Sequence, residues 1–267
     1  CTRITRLEIQ QCPNLRSLAG IEHLRSLREL VVKGAKVESM APVAGLDRLR
    51  IIDLSHNRIE RIEGMAGKAW LGKLYLHDNM LVSMAGLGKL PEWNQLRDVK
   101  LGNNRLEHVE GIGRLKIIQE LSLDDNRITT CDGFSRVMPH DDGGYVDWNG
   151  KRYKAFETRD ALGEEPVNTS YILVMLDGNP LVDIRGLHHL SGVLDVDDGA
   201  ITLDKETLAS IPLEQLDFLA AHGLLACTLK PAAFELRANR DVDPVIIPAG
   251  HFHSPRFVSK SVQVRWS

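Results

Sequence analysis

Apolar residues recur along this chain in one frame, clearest at Leu49-x-x-Ile52-x-Leu54-x-x-Asn57-x-Ile59-x-x-Ile62-x-Gly64-Met65. The frame restarts at Leu71, Leu96 and Ile118, is visible earlier at Ile4 and Leu27, and returns at Tyr171. Successive starts lie 23, 22, 22, 25, 22 and 53 residues apart, so one ordinary repeat taken from the last spacing leaves an insertion of 31 residues. Each unit reads as a short strand, a turn and a second apolar stripe. A period of about 20–29 residues with this leucine spacing predicts stacked strand-and-turn units lining a curved solenoid, because one unit alone cannot bury its apolar face.

Side chains on a strand alternate between faces, so the leucine pairs point inward and the residues between them outward. The inward stack comprises Leu30 and Val32, Ile52 and Leu54, Leu74 and Leu76, Val99 and Leu101, and Leu121 and Leu123. Each such side chain contributes about 1.5–3 kcal/mol when buried. After the strand stand Asn57, Asn79, Asn104, Asn126 and Asn179. A buried asparagine offers a donor and an acceptor, which suits a turn that strands backbone N–H and C=O groups inside the protein. Cys12 and Ala35 take this place in the first two units, which predicts a weaker ladder there and makes Cys12 a structural filler. Glycine recurs seven residues after each asparagine, at Gly64, Gly86, Gly111, Gly133 and Gly186. Glycine permits tight or left-handed backbone. Gly86-Leu87-Gly88 and Gly111-Ile112-Gly113 fall in the repeat frame and lack the third glycine of a nucleotide loop.

On these residues the chain resembles the 22-residue subclass of leucine-rich repeats. That group includes a regulatory subunit of protein phosphatase 1, axonemal dynein light chain 1 and the A-prime protein of the U2 spliceosomal particle. The core Leu-x-Leu-x-x-Asn-x-Ile-x-x-Ile-x-Gly-Leu is matched over 49–134 and 171–190, and the resemblance runs from about Ile4 to Val193 apart from the insertion. It implies an α/β repeat: a solenoid with a parallel concave sheet that binds other proteins and carries no enzymatic activity.

The outward strand positions form columns along the concave face. The first is Arg6, Glu29, Ile51, Lys73, Asp98, Glu120, Leu173; the second Glu8, Val31, Asp53, Tyr75, Lys100, Ser122, Met175; the third Gln10, Lys33, Ser55, His77, Gly102, Asp124, Asp177. Ile51, Tyr75 and His77 put apolar and aromatic surface near the middle, where interface anchors are favoured. Toward the C-terminal half the face turns acidic at Asp98, Glu120, Asp124, Asp125 and Asp177, a trend that Asp195, Asp197 and Asp198 extend. The expected partner is a protein with a basic, elongated segment, steered by complementary charge. The bland reading is that these acids solvate an exposed sheet. Leu173 and Met175 are too apolar for open solvent, so either the insertion or a partner covers them.

The insertion, about 140–170, contains Tyr145-Val-Asp-Trp148-Asn149-Gly150-Lys151-Arg-Tyr153. Asn-Gly between strand-forming residues is a strong hairpin signal. Such a hairpin is marginal alone and leans on the solenoid or on a partner. Tyr145, Trp148 and Tyr153 are therefore candidate contact residues, the alternative being a flap without binding function.

Beyond Val193 the repeat fades, and Asp195–Asp198 fills an expected strand with acids, making the eighth unit degenerate. Two helices are expected, about Lys205–Ile211 and Pro212–His222, with Asp204 as a cap, Pro212 in a first turn and Gly223 as a stop. The predicted division is a solenoid over 1–203, a helical C-terminal cap over 204–230 and an extended tail over 231–267. Val258, Val262, Val264 and Trp266 alternate with polar residues as in an edge strand, and Arg256, Lys260 and Arg265 make the end basic. That tail either docks on a neighbouring molecule or wraps back on its own solenoid. The first repeat begins at Ile4 with no cap before it, so the natural chain is expected to start earlier, or a partner to cover this end.

Composition narrows the function. The 267 residues are 43% hydrophobic and 26% charged, enough for a continuous core. The net charge of −3 argues against direct nucleic-acid binding. No apolar run has membrane-spanning length. Cys1, Cys12, Cys131 and Cys227 are scattered, which reads as reduced thiols in a reducing compartment. His188-His189 and His251-Phe252-His253 lack the further ligands that would complete a metal set, and no nucleophile motif appears. No cofactor, metal or small-molecule substrate is expected. The reading is an intracellular, cytoplasmic scaffold docked in a larger assembly, with the cytoskeleton, axoneme or cilium suggested by the resemblance. The alternatives are a subunit of a ribonucleoprotein complex touching RNA only indirectly, a regulatory subunit of an enzyme such as a phosphatase, and a secreted bacterial-type adhesion repeat.

Overall fold

In the computed structural model, strands start where the leucine frame places them. The structure describes residues 3–115, 117–139, 145–147, 152–153, 173–184, 186–187, 200–204, 215, 224–230, 233–238, 258–259 and 262–263. The strands in chain order are β1 Arg6–Gln10, β2 Glu29–Lys33, β3 Ile51–Asp53, β4 Lys73–Tyr75, β5 Asp98–Lys100 and β6 Glu120–Ser122. They continue with β7 Val137–Pro139, β8 Tyr145–Asp147, β9 Arg152–Tyr153, β10 Leu173–Met175 and β11 Ala200–Asp204. Last come β12 Leu224–Lys230, β13 Ala233–Ala238, β14 Val258–Ser259 and β15 Val262–Gln263. The main sheet runs β1-β2-β3-β4-β5-β6-β10-β11-β13-β12. Pairing is parallel through β11, with Arg6, Glu29, Ile51, Lys73, Asp98, Glu120 and Leu173 in register across it. On the far side 3-10 turns recur, such as Ala41–Val43 and Ile112–Arg114, and isolated parallel bridges join Arg61 to Ser83 and His108 to Thr130. One continuous apolar core lies between, from Leu18 to Leu187. This is a leucine-rich-repeat solenoid.

The asparagine ladder closes as its chemistry requires. Asn104 Oδ1 accepts from Leu81 N–H at 2.9 Å, while Nδ2 donates to the carbonyls of Leu76, Leu101 and Gly102 at 3.0, 3.0 and 3.1 Å. Asn57, Asn79, Asn126 and Asn179 repeat the pattern, each tying its own turn to the preceding unit. Cys12, at this place in the first unit, is exposed, and its Sγ reaches only its own turn at Gln10 O.

The glycine column divides by cause. Gly64 and Gly111 have φ of +72° and +71°, the left-handed backbone expected of glycine. Gly86, Gly133 and Gly186 do not; there a Cβ would lie 2.0, 1.7 and 1.9 Å from the carbonyl oxygens of Ile62, Val109 and Cys131 in the preceding unit.

Lys68 holds the slot that Leu46, Leu90 and Leu115 fill in other units, and it is fully buried. Its ammonium donates to Ala44 O at 3.0 Å and lies 3.5 Å from Asp47, whose side chain is largely exposed. Burial pushes its pKa below the ordinary value of about 10.5, with Asp47 holding it partly up. Exchanging a buried charge for an apolar side chain that fits is neutral to stabilising by about 1–4 kcal/mol, and Lys68→Leu is expected in that range. The unfolded chain keeps this proton to higher pH than the folded one. The native protein should therefore gain stability as pH rises from the folded pKa toward 10.5, and the advantage of Lys68→Leu should narrow across that window. Paired thermal melts at pH 7 and pH 10 measure both; an equal gap at the two pH values rejects the linkage.

The C-terminal third departs from the frame. The eighth strand is β11 at 200–204, with Val174 opposite Ile201, rather than at 195–198. Ala-Ile-Thr-Leu-Asp supplies the inward apolar alternation that a run of aspartates lacks. The span 204–230, read as a helical cap, holds strand β12 over 224–230, and β12 turns back antiparallel onto β13, which joins β11. The hairpin thus crosses the expected boundary between cap and tail. Of the two expected helices only Gln215, which is helical, is described; its side chain accepts from Ile184 N–H at 2.6 Å and donates to Val182 O at 2.7 Å. Asp195–Asp198, His188-His189 and His251–His253 lie outside the described residues, as do Val264 and Trp266; β14 and β15 pair antiparallel within the expected edge-strand segment. In the insertion β8 pairs with β9, setting Tyr145 opposite Tyr153, and β7 adds a third strand. Trp148, Asn149 and Gly150 lie outside the described residues.

Candidate functional site

The inner wall is built from strand positions whose neighbours point into the core. Ile51, Lys73, Tyr75, His77, Asp98, Lys100, Glu120, Asp124, Asp177, Leu173 and Met175 all face outward from it, each partly exposed. Asp53 differs. It is buried, 4% exposed, accepting from the Ser55 hydroxyl at 2.7 Å and pairing with Lys33 at 2.5 Å. Asp53 pairs in register with Val31, two residues before Lys33, so Asp53 anchors the wall and the more exposed Lys33 presents the surface above it.

The centre of the wall is one connected group. Tyr75 donates its hydroxyl to Asp98, and Lys100 Nζ lies 5.4 Å from the centre of the Tyr75 ring. Lys100 also meets Glu120 at 3.0 Å, and Ser122 donates to Asp124. Burial raises the Asp98 pKa, opposed by the Tyr75 hydrogen bond, and Oδ1 of Asp98 is buried with no hydrogen-bond partner. Burial and then Asp98 push the Tyr75 hydroxyl well above its usual range, so it stays protonated as a donor. At Lys100 burial opposes the charge, but Glu120 and Asp98 outweigh it and hold the ammonium above its ordinary value. The acidic half of the face is therefore partly answered from within the sheet.

A fourth column was hidden in the sequence. Gln11, Gly34, His56, Asp78, Asn103, Asp125 and Gly178 stand one residue before the ladder position, and all have positive φ, from 50° to 70°. Asparagine, aspartate and glycine tolerate that backbone best, which is the compositional signal that was available. At this corner Asn103 Nδ2 donates to Asp78 Oδ1, and His56 Nδ1 lies 3.3 Å from Asp78 Oδ2. Sequence reasoning also passed over Trp70 and Trp93, which are 55% and 67% exposed in adjacent units away from the inner wall.

Among the described residues no helix is long and apolar enough to cross a membrane. Cys12 and Cys131 are free thiols, and burial raises the pKa of Cys131 far above the usual range. No protein-family model matches the chain, and no curated protein matches it. Among solved structures it is similar to internalin C2 of Listeria monocytogenes, with a TM-score of 0.49 and 17% identity, covering 75% of this chain and 80% of that one. It is also similar to internalin inlF of the same organism, with a TM-score of 0.39 and 16% identity, covering 82% of this chain and 78% of that one.

Proposed function

We propose that this protein is a non-enzymatic interaction scaffold whose inner wall receives a protein segment bearing basic side chains. The observation that carries the reading is the Tyr75 group: an aromatic ring, half-buried and fixed by Asp98 and Lys100, at the middle of a solvent-facing wall. Interface anchors are typically aromatic side chains held rigid before binding. Around it Asp98, Glu120, Asp124, Asp125 and Asp177 outnumber Lys73 and Lys100, so a basic segment remains the better-matched guest. Leu173 and Met175 extend the wall with apolar surface, and the strands carrying Tyr145 and Tyr153 stand in the insertion that precedes them.

The likeness to the 22-residue repeat subclass adds the setting: a subunit of an intracellular assembly, with a cytoskeletal or axonemal complex as the first candidate. Affinity purification of the native complex with lysine crosslinking tests this, with crosslinks expected at Lys73, Lys100 and Lys151. Release of the partner by RNase would replace this setting with a ribonucleoprotein one.

The wall itself is tested by Asp98→Lys, Glu120→Lys and Asp124→Lys together, and separately by Tyr75→Ala. The charge reversals are expected to abolish capture, and Tyr75→Ala to weaken it by about 30-fold, the effect of losing roughly 2 kcal/mol at an interface centre. Unchanged capture by both variants, with native circular dichroism, rejects the inner wall as the binding face.

A further inference from the structure

His56 and Asp78 of the corner column and His77 of the inner wall bring two imidazoles and a carboxylate from adjacent units to one point. His56 Nδ1 is 3.3 Å from Asp78 Oδ2, His77 Nε2 is 3.9 Å from the same oxygen, and the candidate ligand atoms of the three residues all lie within 4.8 Å of one another. The two rings are nearly perpendicular, at 83° with centroids 5.3 Å apart, so they converge edge to face rather than stack. A zinc ion with bonds of about 2.0–2.2 Å in tetrahedral geometry sets its ligand atoms roughly 3.3–3.6 Å apart. Small side-chain rotations close the remaining gap.

The supports around the cluster fit ligands better than an incidental ion pair. Asn103 donates to Asp78 Oδ1, which turns Oδ2 toward the imidazoles; metal-binding carboxylates are oriented by such outer hydrogen bonds. His56 and Asp78 sit on left-handed backbone at φ 55°, pinned by His56 N–H to His77 O at 3.1 Å and Asp78 N–H to Gly102 O at 3.0 Å. His77 Nδ1 is buried without a hydrogen-bond partner, and Nε2 is the ring nitrogen turned toward Asp78. The nearest other charges, Lys33 and Asp53, pair with each other.

We propose that His56 Nδ1, His77 Nε2 and Asp78 Oδ2 form a three-ligand site for a divalent transition-metal cation of the zinc type at the rim of the inner wall. Imidazole nitrogen favours zinc, nickel or copper over calcium or magnesium, and three protein ligands leave a fourth position for water. The site does not depend on the partner proposed above.

The test titrates the full chain with zinc chloride by calorimetry and with cobalt chloride by visible absorption. His56→Asn and Asp78→Asn retain residues that accept left-handed backbone, and His77→Gln removes the third ligand. The intact chain is expected to bind one zinc more than either histidine variant and to show a cobalt absorption band that both lose. Asp78→Asn should bind that ion at least about tenfold more weakly, and excess calcium should not compete. Equal zinc uptake by the intact chain and by variants of native circular dichroism would overturn the site. Displacement of the ion by calcium would overturn it as well.

Discussion

Gly86→Ala is expected to destabilise the protein by more than about 4 kcal/mol, a loss reserved for steric conflicts that the core cannot relax. The added Cβ would stand 2.0 Å from Ile62 O, 2.7 Å from Ile62 Cβ and 2.8 Å from Ile62 C. Two of these are main-chain atoms of the preceding unit and the third is a Cβ fixed to that main chain, so no rotamer change relieves the clash. Relief requires the two units to separate, and that opens the apolar stack of Met84, Leu87 and Ile62 between them. At roughly 2–4 °C per kcal/mol for a chain of this size, the melting midpoint should fall by about 8–16 °C. Gly88→Ala is the internal control, two residues away. Its Cβ would lie 3.6 Å from Gly111 Cα, an ordinary contact, and its φ is not positive. Removing glycine there should be neutral or stabilising by about 0.4–1 kcal/mol through the unfolded chain. Equal melting midpoints for the two variants would show that the units are not held at this spacing.

That pair also marks how far the sequence could be read. The strands were legible because alternation and the asparagine that follows are both local, and a one-residue slip would turn Leu74 and Leu76 outward. The columns of the inner wall followed from the same alternation, and the first two pair in register from β2 to β6, although Asp53, Ser55 and Ser122 are buried within the wall. What the glycine column does was half legible. Its recurrence is visible, but whether it answers a positive φ, as at Gly111, or a neighbouring carbonyl, as at Gly86, depends on how units nest. Lys68 was concealed because its frame position is leucine elsewhere and its partner, Ala44 O, lies 24 residues earlier. His56, Asp78 and Asn103 share no side-chain type, so their common conformation leaves only a faint compositional trace. Along the sequence the acidic field is charge on a line, whereas the structure answers it across strands, with Tyr75 on Asp98 and Lys100 on Glu120. The position of β11 was missed because counting from the repeat gives 195, and only the inward demand for Ile201 moves the strand to 200.

Asn104→Ala is expected to lower stability by about 3 kcal/mol, the larger part from groups left without partners rather than from bonds removed. The side chain is 9% exposed, and its four hydrogen bonds run to two units. Without it the Leu81 N–H loses its acceptor and the Leu76 carbonyl loses a donor, beneath a core of Leu76, Leu101 and Leu106 that leaves little room for water. Asn104→Asp separates the two halves of the ladder. It keeps an acceptor for Leu81 N–H but turns a carboxylate oxygen toward three carbonyls, which repel it, so it should be at least as damaging as alanine near neutral pH. Because a solenoid is stabilised by intrinsic unit stability plus nearest-neighbour interfaces, damage at this unit should also broaden the urea transition. The N-terminal and C-terminal halves then unfold less as one. The chain offers its own contrast at Ala35, which holds the equivalent place in the second unit and leaves no side-chain polar group to satisfy its turn. Urea unfolding that stays sharp, with an extrapolated unfolding free energy within about 1 kcal/mol of the parent, would mean that backbone pairing alone holds these turns and that the ladder is decoration.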